Sequence, residues 1–379
     1  MTPKNEPAEA LARFPTTTIV GMGLIGGSLA LALRGAGYAG KVIGVSRQSS
    51  LDEAKRLGAI DEGAPYEELA AAAGRANLVI LATPIATITE HLQSLGAAGE
   101  LLQEGLVITD VGSTKRTVVK TALDHLPGQV SFVGGHPLAG SELRGMSAAD
   151  PFLFQNAYYV LTPAANVAEA TTKNLGAFVT CLGARVLVME PAEHDRVAAT
   201  ISHLPQAIAV SLVRFLDSLG GLRDDGIHLA AGGFRDMTRI ASSPYSVWRD
   251  IVATNRDLIR EVLDEFLNST REEVGALDDD TLETLFDKAA KTRAEIPRDT
   301  KGFLSRLWNV LVVVEDRPGM VAGIAVPLAD RGINIKDIEV LKVREGEGGS
   351  LRLAFADEEL ARQAIDVLTA EGYTARLQD

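Results

Sequence analysis

His136 stands in the stretch GGHPLAGSE, residues 134–142, between two glycines and a proline and directly after the strand-like run VSFV. A histidine in such a tight loop has little apolar surface to fill, so it reads as held for its proton chemistry, with an ordinary pKa close to neutrality. A second chemistry lies nearer the start. Gly21, Gly23 and Gly26 form G-x-G-x-x-G, with Leu24 and Ile25 inside it. In a dinucleotide site the first glycine makes the tight turn, the second lets a pyrophosphate approach the backbone, and the third packs helix on strand. The free N–H groups at the helix start suit phosphate. Ser46 and Arg47 follow the next strand-like run, KVIGV, where an NAD site usually has an acidic residue. A small hydroxyl beside a guanidinium suits a 2′-phosphate, so NADP is favoured over NAD.

These residues need particular elements to position them. Residues 16–20 read as a strand and the glycines as its turn into a helix. NLVILATP, LVITDVGS and VSFVGGHP follow at the spacing of a doubly wound sheet. Ligands in such sheets bind beyond the carboxyl ends of the strands, and Thr83, Ser113 and His136 all fall there. From about Pro191 the pattern becomes helical, with a kink expected at Pro205. His194 and His203 lie nine positions apart, so a straight helix would not put both on one face, whereas His203 and Gln206 share one. His194, between Glu193 and Asp195, is set aside as a surface or N-terminal helix residue. Lys115 reads as solvated at a helix start, and Ser113 as a possible N-cap. His91, His125 and His228 read as solvated or structural. Residues 297–306 look like a linker. The remainder reads β-α-β-β-α-β, ferredoxin-like, with Pro327 expected to kink or shorten its first helix.

Composition excludes several classes. A formal net charge of −13 argues against a nucleic-acid partner and requires any anionic substrate to meet a local basic cluster. Arg235, Arg239 and Arg249 supply one. The single cysteine, Cys181, suits a reducing cytosol and excludes an internal disulfide. No metal-ligand spacing is evident. The N-terminus lacks an apolar signal core, and no apolar run reads as long enough to span a membrane, so a cytoplasmic protein is expected.

GMGLIGGSLALAL, LATP, TDVGSTK, GGHPLAGSE, HDRVAATISHLPQ and GGFRDMTRIASSPYSVWRD, in this order, resemble the prephenate dehydrogenases of tyrosine biosynthesis, from about Thr17 to Arg260. The tail resembles an ACT domain, an amino-acid-sensing module, through DRPGM and ADRGINI. The resemblance implies an α/β Rossmann domain over 1–188, an all-α substrate and dimerisation domain over 189–297, and a ferredoxin-like ACT domain over 307–379. It implies oxidative decarboxylation of prephenate to 4-hydroxyphenylpyruvate by a homodimer. His136 matches the catalytic histidine, which accepts a proton from the ring hydroxyl as hydride departs, and Ser113 the serine beside it. Arg239 matches the arginine that clamps a substrate carboxylate, and His203 the first histidine of the family's SHLPH. Gln206 replaces the second, near the substrate side chain, which leaves prephenate and arogenate both open. Asp316, Gly319 and Asn334 match ACT positions near an amino-acid site, which implies tyrosine as effector. A β-hydroxyacid dehydrogenase, or a sensor that only binds nucleotide and amino acid, are the rival readings.

Overall fold

The structure, a computed structural model, describes residues 6–140, 143–275, 279–296, 307–315, 317–344 and 348–378. The expected linker at 297–306 and Asp316 lie outside the described residues. Two compact units emerge, 1–277 and 278–379.

After α1 (Glu6–Ala12), the first unit builds its sheet from apolar runs with few polar interruptions, as strands covered on both faces must. β1 (Thr16–Val20) turns through the glycines into α2 (Leu24–Gly35), and β2 (Lys41–Val45) leads to α3 (Gln48–Arg56). The short β3 (Glu62–Ala64) and α4 (Leu69–Ala73) precede β4 (Leu78–Leu81) and α5 (Ile85–Ala97). β5 (Val107–Asp110), α6 (Arg116–His125) and β6 (Ser131–Pro137) complete the doubly wound part. β7 (Tyr158–Pro163), α7 (Glu169–Thr180) and β8 (Arg185–Val188) then widen the sheet to eight strands, in the order β3-β2-β1-β4-β5-β6-β7-β8. Neighbours pair in parallel except β6 with β7. The chain switches sides between β1 and β4, which opens the crevice where a nucleotide binds in such sheets. Core packs on both faces: Ile19, Leu29, Leu33 and Phe178 on one, Val20, Val79, Ile88 and Ile108 on the other.

α8 (Pro191–Ala198), a π turn (Ala199–His203) and α9 (Leu204–Asp217) form one helical run. The kink expected at Pro205 is this π turn. Proline lacks an N–H and crowds the carbonyl four residues back, and the wider turn relieves both. The run is 27 residues long and holds a window of 18 residues with a mean hydropathy of 1.2, long and apolar enough by length and composition alone to cross a membrane. That corrects the expectation that no apolar run is long enough to span a membrane. Its inner face nonetheless carries buried His194, Asp195, His203 and Gln206. α10 (Arg223–Leu229), α11 (Gly232–Thr238) and the long α12 (Tyr245–Gly275) follow. α12 returns to the sheet domain: Ile251 packs in its core, the Asp250 carboxylate accepts from Ala86 N at the start of α5, and Thr254 Oγ1 meets Thr114 Oγ1 at 2.7 Å.

The second unit begins with α13 (Asp279–Glu295). β9 (Trp308–Val314), α14 (Met320–Asp330), β10 (Asp337–Arg344), β11 (Gly348–Phe355), α15 (Glu358–Ala370) and β12 (Thr374–Leu377) then form an antiparallel sheet in the order β10-β11-β9-β12. This is the expected ferredoxin-like arrangement. Pro327 does not shorten α14, which runs three residues past it.

Candidate active site

The glycine turn has the shape its spacing requires. Gly21 adopts φ +95°, and a Cβ there would press on Ala82 O and on Thr83 Cγ2. A Cβ at Gly26 would run into the Gly21 carbonyl, so helix and turn touch only because that atom is missing. Gly23 faces open space. It precedes α2 with no side-chain cap, which leaves the N–H groups of Leu24, Ile25 and Gly26 for an anion. Beside the turn, Thr83 Oγ1 is buried with no hydrogen-bond partner among the described residues. An open cradle, uncapped N–H groups and an orphaned hydroxyl fit a dinucleotide. Ser46 is buried and its Oγ accepts from Met22 N at 3.3 Å, which ties the turn to the end of β2. Arg47 is exposed at the start of α3 and has no carboxylate partner among the described residues.

Four strands along, the expected tight loop around His136 is instead extended chain. β6 runs through Pro137, with His136 opposite Val160 of β7. The two glycines serve packing beneath it. A Cβ at Gly135 would meet the Asp110 carbonyl and, at 2.9 Å, the Tyr159 ring, and one at Gly134 would meet Thr162 Oγ1. Under this corner lies an ion pair between Lys115 Nζ and Asp110, both fully buried. Lys115 Nζ also donates to Gly135 O at 2.7 Å, and Gly135 N donates to Asp110 Oδ1 at 3.0 Å. The reading of Lys115 as solvated is therefore wrong. Its stem crosses the interior to fix the residue next to His136, and burial pulls its pKa down against the pull of Asp110.

His194, set aside in the sequence, is the direct partner of His136. His136 Nδ1 lies 2.8 Å from His194 Nε2, and His194 Nδ1 lies 2.9 Å from Asp195 Oδ1. His194 and Asp195 are buried. Asp195 also caps α6 from another helix, accepting from Lys115 N at 2.6 Å and Arg116 N at 2.9 Å. Ser113 does not cap that helix: it is half-buried on the loop between Asp110 and Lys115, two residues ahead of the cap position. Burial alone would raise the Asp195 carboxyl, but the bonds from His194, Arg116 and Lys115 hold it below the usual carboxylate range. Burial pushes His136 well below its ordinary value, and His194, Lys115 and His203 push the same way.

The π turn brings His203 inward as well. A straight helix would put it opposite His194, yet both are only 3% exposed. Asn255 holds the arrangement from α12, at a residue whose φ of −129° breaks helical geometry. Its Nδ2 donates to Asp195 O at 2.9 Å and approaches His203 Nδ1 at 3.3 Å, while its Oδ1 accepts from Arg116 at 3.1 Å. Burial takes His203 down to about 4, against the opposing pull of Asp195. Trp248 stands edge-on to its ring. Gln206 is buried, and its Oε1 has no partner among the described residues.

Arg239 is exposed at the start of a 3-10 turn, Arg239–Ser242, packed beside α9. Of the carboxylates it could pair with, Asp250 is taken by Arg249 at 3.0 Å. Arg239 has no ion pair among the described residues, and none joins it to His136. His91 stacks on Tyr66, while His125 and His228 bond backbone carbonyls, which agrees with their structural reading. Among the described residues no three His, Cys, Asp or Glu side chains could hold a metal ion. In the second unit, a cavity of about 350 Å³ is lined by Val314, Glu315, Arg317, Gly319, Met320 and Leu351, among others. Gly319 sits at its edge with φ +88°, whereas Asn334 is exposed and does not line it.

The sequence could have pointed to Asp195 only through its place between His194 and the helical run. Lys115 lies in TDVGSTK, which gave no sign of its burial, and Asn255 carried no local signal.

Comparison with known proteins assigns these parts. The nucleotide-binding domain profile of prephenate dehydrogenase matches residues 29–188, its dimerization domain profile matches 190–289, and the ACT domain profile matches 308–372. The prephenate dehydrogenase of Bacillus subtilis is 36% identical over 359 residues, covering 94% of this chain and 96% of that protein. The crystal structure of Aquifex aeolicus prephenate dehydrogenase in complex with hydroxyphenyl propionate and NAD+ is 31% identical, with a TM-score of 0.66 over 73% of this chain and 97% of the other. That of Synechocystis arogenate dehydrogenase is 29% identical, with a TM-score of 0.65 over 73% and 97%.

Proposed function

This chain belongs to the prephenate dehydrogenase family, and on that premise we propose how its site works. It is an NAD(P)-dependent dehydrogenase, and its reaction is the oxidative decarboxylation of prephenate to 4-hydroxyphenylpyruvate. The observation that carries the reading is His136, a ring kept neutral by burial at the carboxyl edge of the sheet that also holds the glycine cradle. The N–H groups of Leu24, Ile25 and Gly26 and the Thr83 hydroxyl would hold the dinucleotide. When bound there, the dinucleotide would supply the acceptor for the hydride of the hydroxyl-bearing ring carbon. His136 takes the hydroxyl proton as that happens and returns it to the ring oxygen once carbon dioxide has left and the ring is aromatic. The proton balance closes on one histidine. Ser113, on the loop between Asp110 and Lys115, would orient the hydroxyl. Arg239 clamps a substrate carboxylate with its unpaired guanidinium.

Arg47 favours NADP, since an exposed guanidinium with no carboxylate partner beside the ribose position can meet a 2′-phosphate. Ser46 contributes less directly, because its hydroxyl already accepts from Met22 N. A second substrate is favoured by one observation. Gln206 Oε1 is a buried acceptor without a donor among the described residues, and the ammonium of arogenate supplies one where the keto group of prephenate does not. The cavity beside Gly319 has the size and composition of an amino-acid site, and tyrosine is its proposed occupant. Asn334 has no place in that proposal.

Exposed Phe215, Leu222, Leu229 and Met237 give the helical segment an apolar face suited to a second copy of the chain. We place the domain boundaries at 188/189 and 297/307, and the enzyme in the cytoplasm, where its free thiol at Cys181 would stay reduced.

One experiment tests the whole reading. Prephenate and arogenate are each supplied with NAD and with NADP, with and without tyrosine, while reduced-cofactor absorbance is followed. Prephenate with NADP should turn over fastest, and tyrosine should slow it. No reduced cofactor in any combination would overturn the enzyme reading. Unchanged rates and thermal stability across the tyrosine titration would overturn sensing alone.

A further inference from the structure

We propose that His194 and Asp195 are positioning residues that lock His136 into the tautomer carrying its proton on Nδ1, so that its Nε2 is always the bare nitrogen offered to substrate. The proposal rests on the reading of His136 as the base, and it adds what selects the basic nitrogen.

Donors and acceptors are fixed one after another outward from Asp195. A carboxylate only accepts. Asp195 Oδ1 accepts from Lys115 N and its Oδ2 from Arg116 N, so the group is anchored as an acceptor by two backbone N–H groups. His194 Nδ1, 2.9 Å from Oδ1, must therefore carry a hydrogen. A neutral His194 then has a lone pair on Nε2. That nitrogen lies 2.8 Å from His136 Nδ1, so the bond between the rings needs its hydrogen on His136 Nδ1. His136 Nε2 is left without one. In the opposite tautomer, Nε2–H would donate to the substrate hydroxyl and could not take its proton, while two lone pairs would face each other across 2.8 Å.

The same chain handles the charge that follows. When the hydroxyl proton reaches Nε2, His136 becomes an imidazolium, and the carboxylate bonded to the ring pair is Asp195, reached through His194. The other charged groups around the pair are spoken for. Lys115 is tied to Asp110 and Gly135 O, and Arg116 to Asp257 at 2.6 Å as well as to Asp195. His203 stands against Asn255 and Trp248. Asp195 is thus the only carboxylate hydrogen-bonded to either ring among the described residues. Its burial at the start of α6, and the π turn that returns the chain toward Asn255, give the relay a fixed frame.

The test reads the tautomer directly. In full-length protein labelled with ¹⁵N only at histidine, the signals lost in His136→Asn identify His136. Its Nδ1 should be protonated and its Nε2 bare at neutral pH. An Nε2–H tautomer there would overturn the proposal whether or not any variant folds. In Asp195→Asn an amide N–H₂ must face either a backbone N–H or the His194 Nδ1–H. Turnover should fall about 100-fold, with the substrate KM within about 3-fold, and the acid limb of the kcat profile should move to lower pH because the imidazolium has lost its anion. A folded Asp195→Asn enzyme with wild-type turnover or an unmoved acid limb would also overturn it. Full activity in His136→Asn would instead remove the base reading, while the tautomer measurement still decides the relay.

Discussion

His136 and His194 are 58 residues apart in the chain, one on β6 and the other on α8, yet their rings meet edge to face with Nδ1 and Nε2 2.8 Å apart. This contact joins the sheet domain to the helical segment at the point where a proton must be handled. His136→Asn removes the base at Nε2 but keeps a small polar side chain on the strand. Turnover should drop by about 10² to 10⁴, with little change in melting temperature. Near-normal turnover in a steady-state assay would show that the proton goes elsewhere.

The guanidinium of Arg239 has no carboxylate partner among the described residues, so its truncation frees no buried anion there and costs little stability. Arg239→Ala should raise the substrate KM by about 10- to 100-fold, the worth of a charge-assisted bond. Cofactor affinity should stay within about twofold, since the glycine cradle lies on other elements. A parallel rise in the cofactor KM would place Arg239 in the wrong subsite.

Arg47 is exposed beside the end of β2, with no ion pair among the described residues to lose. Arg47→Ala should lower kcat/KM for NADP by about tenfold and leave NAD nearly unaffected, because only one of them carries the 2′-phosphate. Equal losses for both cofactors, or none, would remove the preference.

Gly135 lies where β6 crosses the Asp110 carbonyl and the Tyr159 ring. Gly135→Ala must push that corner apart and loosen the buried Lys115–Asp110 pair beneath it. A loss of about 1–3 kcal/mol is expected, read as a lower midpoint in urea. Gly23→Ala has open space around it and should leave the midpoint unchanged while weakening cofactor binding. The two glycines separate packing from ligand approach.

His203 is held neutral, its pKa taken from 6.5 down to about 4 by burial. Between those values the unfolded chain binds a proton that the folded ring refuses, so acid favours unfolding. Stability should be fully present above about pH 6.5 and fall as pH drops toward 4. His136 acts in the same direction. In His203→Gln the slope of melting temperature against pH over this window should be shallower than in the parent. An identical slope would show that the ring is not the titrating group.

Much of this protein is legible along the chain. Gly21, Gly23 and Gly26 announce their turn because each acts on residues within a few positions. Strand ends at Thr83, Ser113 and His136 follow from apolar runs, and the β-α-β-β-α-β order of the tail from alternating periods. In the long helical run Pro205 announces a kink but not its form, so the phase of His203 is not legible there. A π turn keeps the run continuous and rotates His203 to the side of His194.

What only the tertiary structure decided is which polar groups meet. Lys115 reads as a surface lysine because its partners, Asp110 and Gly135 O, become neighbours only when β5 and β6 lie side by side. Asp195 finds its N–H donors on α6, 79 and 80 residues away. Asn255 reaches across 60 to the backbone of Asp195. Hydrogen bonds of this kind are enforced by burial, since a polar group taken out of water must find a partner wherever the fold has put one. Local sequence fixes periodicity and turns, whereas a buried network is selected by distances that exist only once the chain has closed on itself.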